Sequence, residues 1–133
     1  MATDFSPHAD AALDLALELA RAQGASITLF HTWQLPVNAY PDGVAVPPSP
    51  EMERDIVEAV KRGLARAKER VAQSGVAVET QYGSGNAPDE IVRYAKEHGF
   101  DLIVVGTHGR RGFGRLVLAR WRSWWYARRR CRS

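Results

Sequence analysis

The residues Leu102-Ile103-Val104-Val105 form a short apolar, β-branched run that opens without a break into Gly106-Thr107-His108-Gly109-Arg110-Arg111-Gly112-Phe113-Gly114-Arg115. An apolar run of this length suits a strand buried on both faces, and such strands belong to parallel sheets covered by helices. The segment that follows carries four glycines and three arginines. Glycines let backbone N–H groups approach an anion and tolerate positive φ, while arginines add charge and forked donors. Gly106, Gly109, Gly112 and Gly114 are therefore candidate phosphate contacts. Gly-Arg segments are also ordinary solvated turns, so this stretch does not by itself decide between the two.

The chain upstream supplies the partners of such a strand. Ser6-Pro7 is a helix start, with the hydroxyl as N-cap and proline where a missing N–H costs nothing. Ala9, Leu13, Ala16, Leu17 and Ala20 then share a face up to Gly24, which predicts a helix over about 7–23. Residues 26–33, rich in β-branched and aromatic side chains, read as a strand. Residues 34–50 carry five prolines and read as a long loop without regular structure.

Ser49-Pro50 repeats the helix signature, and Met52, Ile56, Val60, Leu64, Ala67 and Val71 mark one stripe of a helix over about 50–74. A strand over 76–82, the turn Gly83-Ser84-Gly85, and a helix capped by Asn86 with Ile91, Val92 and Ala95 inward lead to the strand 101–105. Helix and strand alternate, which predicts an α/β fold: an open parallel sheet with helices on both faces, Rossmann-like in plan. Ligands of such sheets sit at the carboxyl ends of the strands, where Thr32-Trp33, the Gly83–Asn86 turn and the loop after Val105 converge.

At 133 residues the chain is of single-domain length, able to bury roughly two-thirds of its unfolded surface. It has no apolar run of about 18 residues and no basic-then-apolar N-terminus, so neither a membrane span nor a signal peptide is expected. Its one cysteine, Cys131, fits a reducing compartment, and a cytoplasmic location is the expectation. Charge is unevenly spread. Residues 119–133 hold six arginines and no acid, so subtracting these from the overall +3 leaves −3 for residues 1–118. A basic, aromatic tail is the signature of nucleic-acid or membrane-surface binding, which makes that the rival reading of function. The tail lacks glycine and any clear helical stripe, so neither nucleic acid nor a membrane is the expected partner.

Four motifs together resemble the universal stress protein (UspA) family. They are the turn Thr3-Asp4-Phe5-Ser6, the strand ending in His31, the turn Gly85-Asn86-Ala87-Pro88, and Asp101-Leu102-Ile103-Val104-Val105-Gly106-Thr107-His108-Gly109-Arg110. The resemblance covers residues 3–118 and implies an adenine nucleotide alpha hydrolase-like fold that binds ATP, or AMP or ADP, with Mg2+ accompanying the nucleotide. It implies a stress-response regulatory module, a homodimer in the family, and at most slow hydrolysis. The residues themselves show no Walker lysine segment and no catalytic constellation, so no enzyme and no catalytic residue is expected.

The implied nucleotide site places Asp4 by the ribose or adenine, Thr32 at the base and His108 beside the phosphates. Arg110, Arg111 and Arg115 either pair with phosphate or stay solvated, and Thr107 and Ser84 are candidate hydroxyl contacts. For Asp4 the competing role is local turn bonding before Ser6. His108 is equally readable as an exposed loop residue. His8, His31 and His98 are scattered without metal-ligand spacing, so no metal site is expected.

Both ends depart from the family pattern. Met1 stands where the last apolar residue of a first strand belongs, so that strand is expected to be nearly absent. A start site placed one strand late accounts for this; a transcript beginning cleanly at Met1 would sink it. Family members that bind ATP continue Gly-x-x-Gly with nine residues and then Gly-Ser, whereas nine residues after Gly109 this chain has Ala119 and Arg120.

Restoring one G before codon 119 lets permitted codons for residues 119–133 read Gly-Ser-Val-Ala-Glu-Leu-Val-Val-Arg-Thr-Ala-Pro-Val-Pro-Val. Residues 1–118 are thus expected to be an incomplete family domain, residues 119–133 an aberrant Trp/Arg tail, and the last strand absent. Resequencing codons 118–119 tests the frame. A third reading is a poorly folded remnant without ligand binding, which a cooperative monomeric unfolding transition contradicts.

Overall fold

The computed structural model describes residues 1–35, 38–39, 45–107 and 115–120. Its elements run α1 (Pro7–Gln23), β1 (Ile27–Trp33), β2 (Asn38–Ala39), β3 (Ala45–Val46), α2 (Pro50–Gln73), β4 (Val78–Ser84), α3 (Ala87–Glu97), β5 (Leu102–Thr107) and β6 (Arg115–Arg120). Each helix begins as the sequence dictates. Ser6, Ser49 and Asn86 cap α1, α2 and α3, and each side chain accepts the N–H of the residue three positions on. Gly24 ends α1 in the left-handed region at φ 60°, where only glycine avoids a Cβ penalty.

β1 and β4 pair in parallel from Ile27 opposite Val78 to Trp33 opposite Ser84. Between β1 and β5 runs only the N-terminal segment. Ala2 forms isolated parallel bridges to Phe30 on one side and Val105 on the other. The strand order is therefore β4, β1, residues 1–3, β5, β6, an open sheet with a reduced central position. β6 runs antiparallel to β5, with Thr107 opposite Arg115 and Leu102 opposite Arg120.

Gly106 and Thr107 belong to β5 rather than to the loop after it. Residues 115–120, of which only Arg115 was read into the glycine–arginine segment, form an antiparallel strand whose apolar Leu116-Val117-Leu118 suits sheet pairing. The segment read as a proline-rich loop holds a short antiparallel pairing of Asn38–Ala39 with Ala45–Val46.

α1 and α2 cover one face of the sheet and α3 the other. The main core lies under α1 and α2. There Leu13, Leu17, Val60, Leu64 and Val71 meet Ile27, Leu29 and Val104. The α2 stripe narrows toward its start, since Val60, Leu64 and Val71 are buried while Met52 is exposed. On the opposite face Phe30 stacks on Tyr94 with ring centroids 4.6 Å apart. Among the described residues no helix is long and apolar enough to cross a membrane.

Candidate functional site at the carboxyl edge of the sheet

The parallel strands point their carboxyl ends the same way, and a chain of short contacts links those ends. The N-terminal segment leaves the sheet at Thr3, whose carbonyl lies 2.8 Å from His31 Nδ1 on β1. Phe5 follows with φ 61°, a left-handed conformation unusual for an aromatic residue, and stacks on the His31 ring at 4.6 Å. Thr3 Oγ1 accepts the Phe5 N–H, and Asp4 Oδ1 accepts the Ser6 N–H at 3.0 Å. These two bonds fold the turn that launches α1.

On the far side of β1, the Gly85 N–H donates to the Trp33 carbonyl at 3.0 Å, tying the β4 turn to the end of β1. Gly85 has φ 137°, and its backbone passes so close to Glu90 that a Cβ would lie 3.1 Å from Glu90 Cγ. Arg93 donates to Glu90 at 2.6 Å and holds its carboxyl below the usual carboxylate range. An ion-paired carboxylate therefore stands behind the Gly83–Gly85 turn.

At the other end of the same edge, β5 runs against the start of α1. A Cβ on Gly106 would meet the His8 carbonyl oxygen at 2.7 Å and the Ala9 nitrogen at 3.0 Å. Glycine here is thus a condition of strand–helix packing. It also brings the end of β5 beside the positive end of the α1 dipole.

The structure brings Asp4, Thr32 and Gly106 to this edge, in the turn before α1, opposite Gly83 in β1, and at the end of β5. The Asp4 turn contact expected from the sequence is present, and Asp4 is exposed. His108, Gly109, Arg110, Arg111, Gly112 and Gly114 lie outside the described residues. So do residues 121–133 of the basic tail. Arg115 starts β6 opposite Thr107 at the carboxyl edge, whereas Ala119 and Arg120 pair with Ile103 and Leu102 at the other end of β5. The positions expected to complete the phosphate cradle are therefore held about 13–17 Å along the strand from that edge, at roughly 3.3 Å per residue.

Two features of the site were not readable as motifs. One is the Phe5–His31 stack, for which the only sequence signal is an aromatic residue inside a turn. The other is Trp33, whose indole Nε1 is enclosed without a hydrogen-bond partner in the described structure. Among the described residues no group of three His, Cys, Asp or Glu side chains is placed to hold a metal ion.

Comparison with known proteins agrees with this architecture. The sequence profile of the universal stress protein family matches residues 1–120. The chain is 35% identical over 123 residues to universal stress protein YxiE of Bacillus subtilis, spanning 89% of this chain and 83% of that protein. It is 29% identical to universal stress protein A homolog 1 of Coxiella burnetii, over 90% of this chain and 81% of that one.

A crystal structure of a universal stress protein family member from Burkholderia pseudomallei superposes with a TM-score of 0.66 at 31% identity, covering 80% of this chain and 78% of its own. A universal stress protein crystallised in complex with cAMP shares the fold at a TM-score of 0.60 and 23% identity, covering 85% and 74%. The alternating elements, the carboxyl-edge geometry and these matches agree: the chain belongs to the universal stress protein family.

Proposed function

We propose that the carboxyl edge of the sheet binds an adenine nucleotide, ATP in the first place with AMP or ADP as alternatives, and that the chain serves as a cytoplasmic, non-catalytic stress-response module. The carrying observation is that three short contacts, Gly106 against His8, Thr3 against His31 and Gly85 against Trp33, lie along one edge of the sheet. It gathers the turn, strand ends and helix start that a nucleotide needs around it. A fold relative crystallised with cAMP supports a nucleotide ligand at the level of fold.

Charge orients the ligand within this reading. The α1 start beside Gly106 favours phosphate at that end of the edge. Thr32 and Asp4 then face base and ribose, and Gly106 with His108, Gly109, Arg110, Gly112 and Gly114 surrounds the phosphates. Mg2+ accompanies the nucleotide in this reading. Residues 1–118 act as the binding unit, and a homodimer is the expected assembly.

Calorimetry with ATP, AMP, cAMP and buffer tests this. ATP binding that weakens about tenfold in Asp4→Ala and in Thr32→Val supports the site; unaltered affinity in both variants refutes it. The paired substitution Ala119→Gly with Arg120→Ser asks whether the cradle has two parts. Tighter ATP binding supports a second half released from β6, and unchanged binding refutes it. Oligonucleotide binding that is salt-dependent and lost on removing residues 119–133 would favour the basic-tail reading instead.

A further inference from the structure

Between α1 and α2, on the sheet face that both helices cover, lies a crevice of about 280 Å³. Leu13 of α1 and Leu29 of β1, both buried, form its apolar floor. Gly63 and Ala67, one turn apart on α2, form a wall that carries no long side chain. The Phe5 ring closes one end, close enough to α2 that a Cβ on Gly63 would stand 2.7 Å from it. That ring is held from its other side by the stack on His31.

Arg70 closes the opposite end by reaching from α2 to α1, where it lies 3.1 Å from Asp10 and 2.5 Å from Asp14. Gly63 and Arg70 are seven residues apart on the helix, which makes the crevice about 10 Å long at roughly 1.5 Å per residue. The Arg70 charge is met by those two carboxylates, and both acids are exposed, so their remaining charge faces water. Arg66 lines the crevice between the two ends and has no ion-pair or hydrogen-bond partner among the described residues. An uncommitted guanidinium presents a planar fork of donors, which matches the two oxygens of a carboxylate.

We propose that this crevice is a second small-molecule site, for a ligand with a short apolar body and one carboxylate, the body lying over Leu13 and Leu29 against Phe5 and the carboxylate on Arg66. Size limits the ligand. Pockets for drug-sized molecules span about 300–1,000 Å³, so a crevice at the lower limit takes a single ring with a short acid arm and is too small for a nucleoside triphosphate. The floor supplies affinity by removing apolar surface from water, and Arg66 supplies selection for the acid over its neutral analogue.

The test uses the full chain with hydrocinnamate as probe and hydrocinnamamide as its neutral analogue. Saturable shifts of the Leu29, Gly63 and Ala67 amide resonances are expected, with a dissociation constant of about 1 mM for a ligand of this size. The amide is expected to bind about three- to fivefold more weakly, and Arg66→Gln to weaken the acid by the same factor while leaving the amide unchanged. Ala67→Leu, which puts a side chain into the crevice, is expected to weaken both probes. Arg66 is exposed, so its substitution decides the matter even where Ala67→Leu disturbs the fold.

No saturation below about 10 mM, ten times the expected constant, would overturn the proposal. Equal binding of acid and amide would do the same, as would undiminished binding of the acid by Arg66→Gln or shifts confined to Gly106 and Thr107 at the carboxyl edge. None of these readouts uses nucleotide, so the failure of this site and the failure of the ATP reading are separate outcomes.

Discussion

A Cβ placed on Gly106 would stand 2.7 Å from the carbonyl oxygen of His8, so the end of β5 and the first turn of α1 meet backbone to backbone. Neither partner is the far end of a flexible side chain. Gly106→Ala must therefore shift the strand or the helix, and we expect a loss of about 1–3 kcal/mol in denaturant unfolding, with α1 amides exchanging faster. A stability within 0.5 kcal/mol of the parent, on a scale where such clashes cost about 1–3 kcal/mol, would show that the approach is looser than described.

Gly63 gives the opposite balance. A Cβ there would meet the Phe5 ring at 2.7 Å, so the ring, 37% exposed, must turn outward at the expense of its stack on His31. Alanine in mid-helix gains about 1 kcal/mol over glycine, which opposes the cost of moving the ring. Gly63→Ala is expected to be near neutral alone and stabilising by about 1 kcal/mol in a Phe5→Ala background. Additive effects in the double-mutant cycle would contradict the contact.

In a chain whose first residue is Met1, the amino group makes stability depend on pH. Its pKa is about 6 in the folded chain against 8.0 ordinarily, so between those values the unfolded chain binds more protons. Stability therefore rises with pH across about 6 to 8, by roughly 2–3 kcal/mol from the two-unit shift, and is lowest below pH 6. Denaturant midpoints measured at pH 5.5 and 8.5 check the sign. Acetylating the amino group should abolish this part of the slope.

Ser6 accepts the Ala9 N–H at 3.2 Å as the cap of α1. Ser6→Ala should cost about 1 kcal/mol, and Ser6→Asp should retain most of it. A thermal melt of the three chains decides, with equal Tm for Ser6→Ala and the parent as the contrary result.

The helices were legible because their boundaries are written in local chemistry. Ser6-Pro7, Ser49-Pro50 and Asn86 with Pro88 each satisfy first-turn donors within a few residues, and the observed starts follow them. β1 and β5 were legible from β-branched runs. What local reading could not supply was pairing. Leu116-Val117-Leu118 is a good strand, yet its antiparallel partner Val104-Val105-Gly106 is decided by tertiary packing, so counting along a glycine motif gave it no element.

The site was legible in part for a related reason. Gly106 answers both to an anion and to the backbone of His8, and a sequence does not separate those demands. Asp4 likewise carries the turn bond to Ser6 whatever else it touches. The left-handed Phe5 had no signal beyond an aromatic residue inside a turn, because the ring it stacks on belongs to His31, a residue 26 positions away in the chain.

The double bridge of Ala2 has a consequence for how the molecule comes apart. β4 and β1 form one leaf, β5 and β6 another, and the main-chain bonds of residues 1–3 are the seam between them. The shared core of Leu13, Leu17, Val60 and Leu64 with Ile27, Leu29 and Val104 ties the same two leaves together. Breaking the seam by Ala2→Pro, which removes the N–H that donates to Val104, should therefore lower a single melting transition rather than divide it. Two transitions in that variant would show that the leaves fold apart despite their common core.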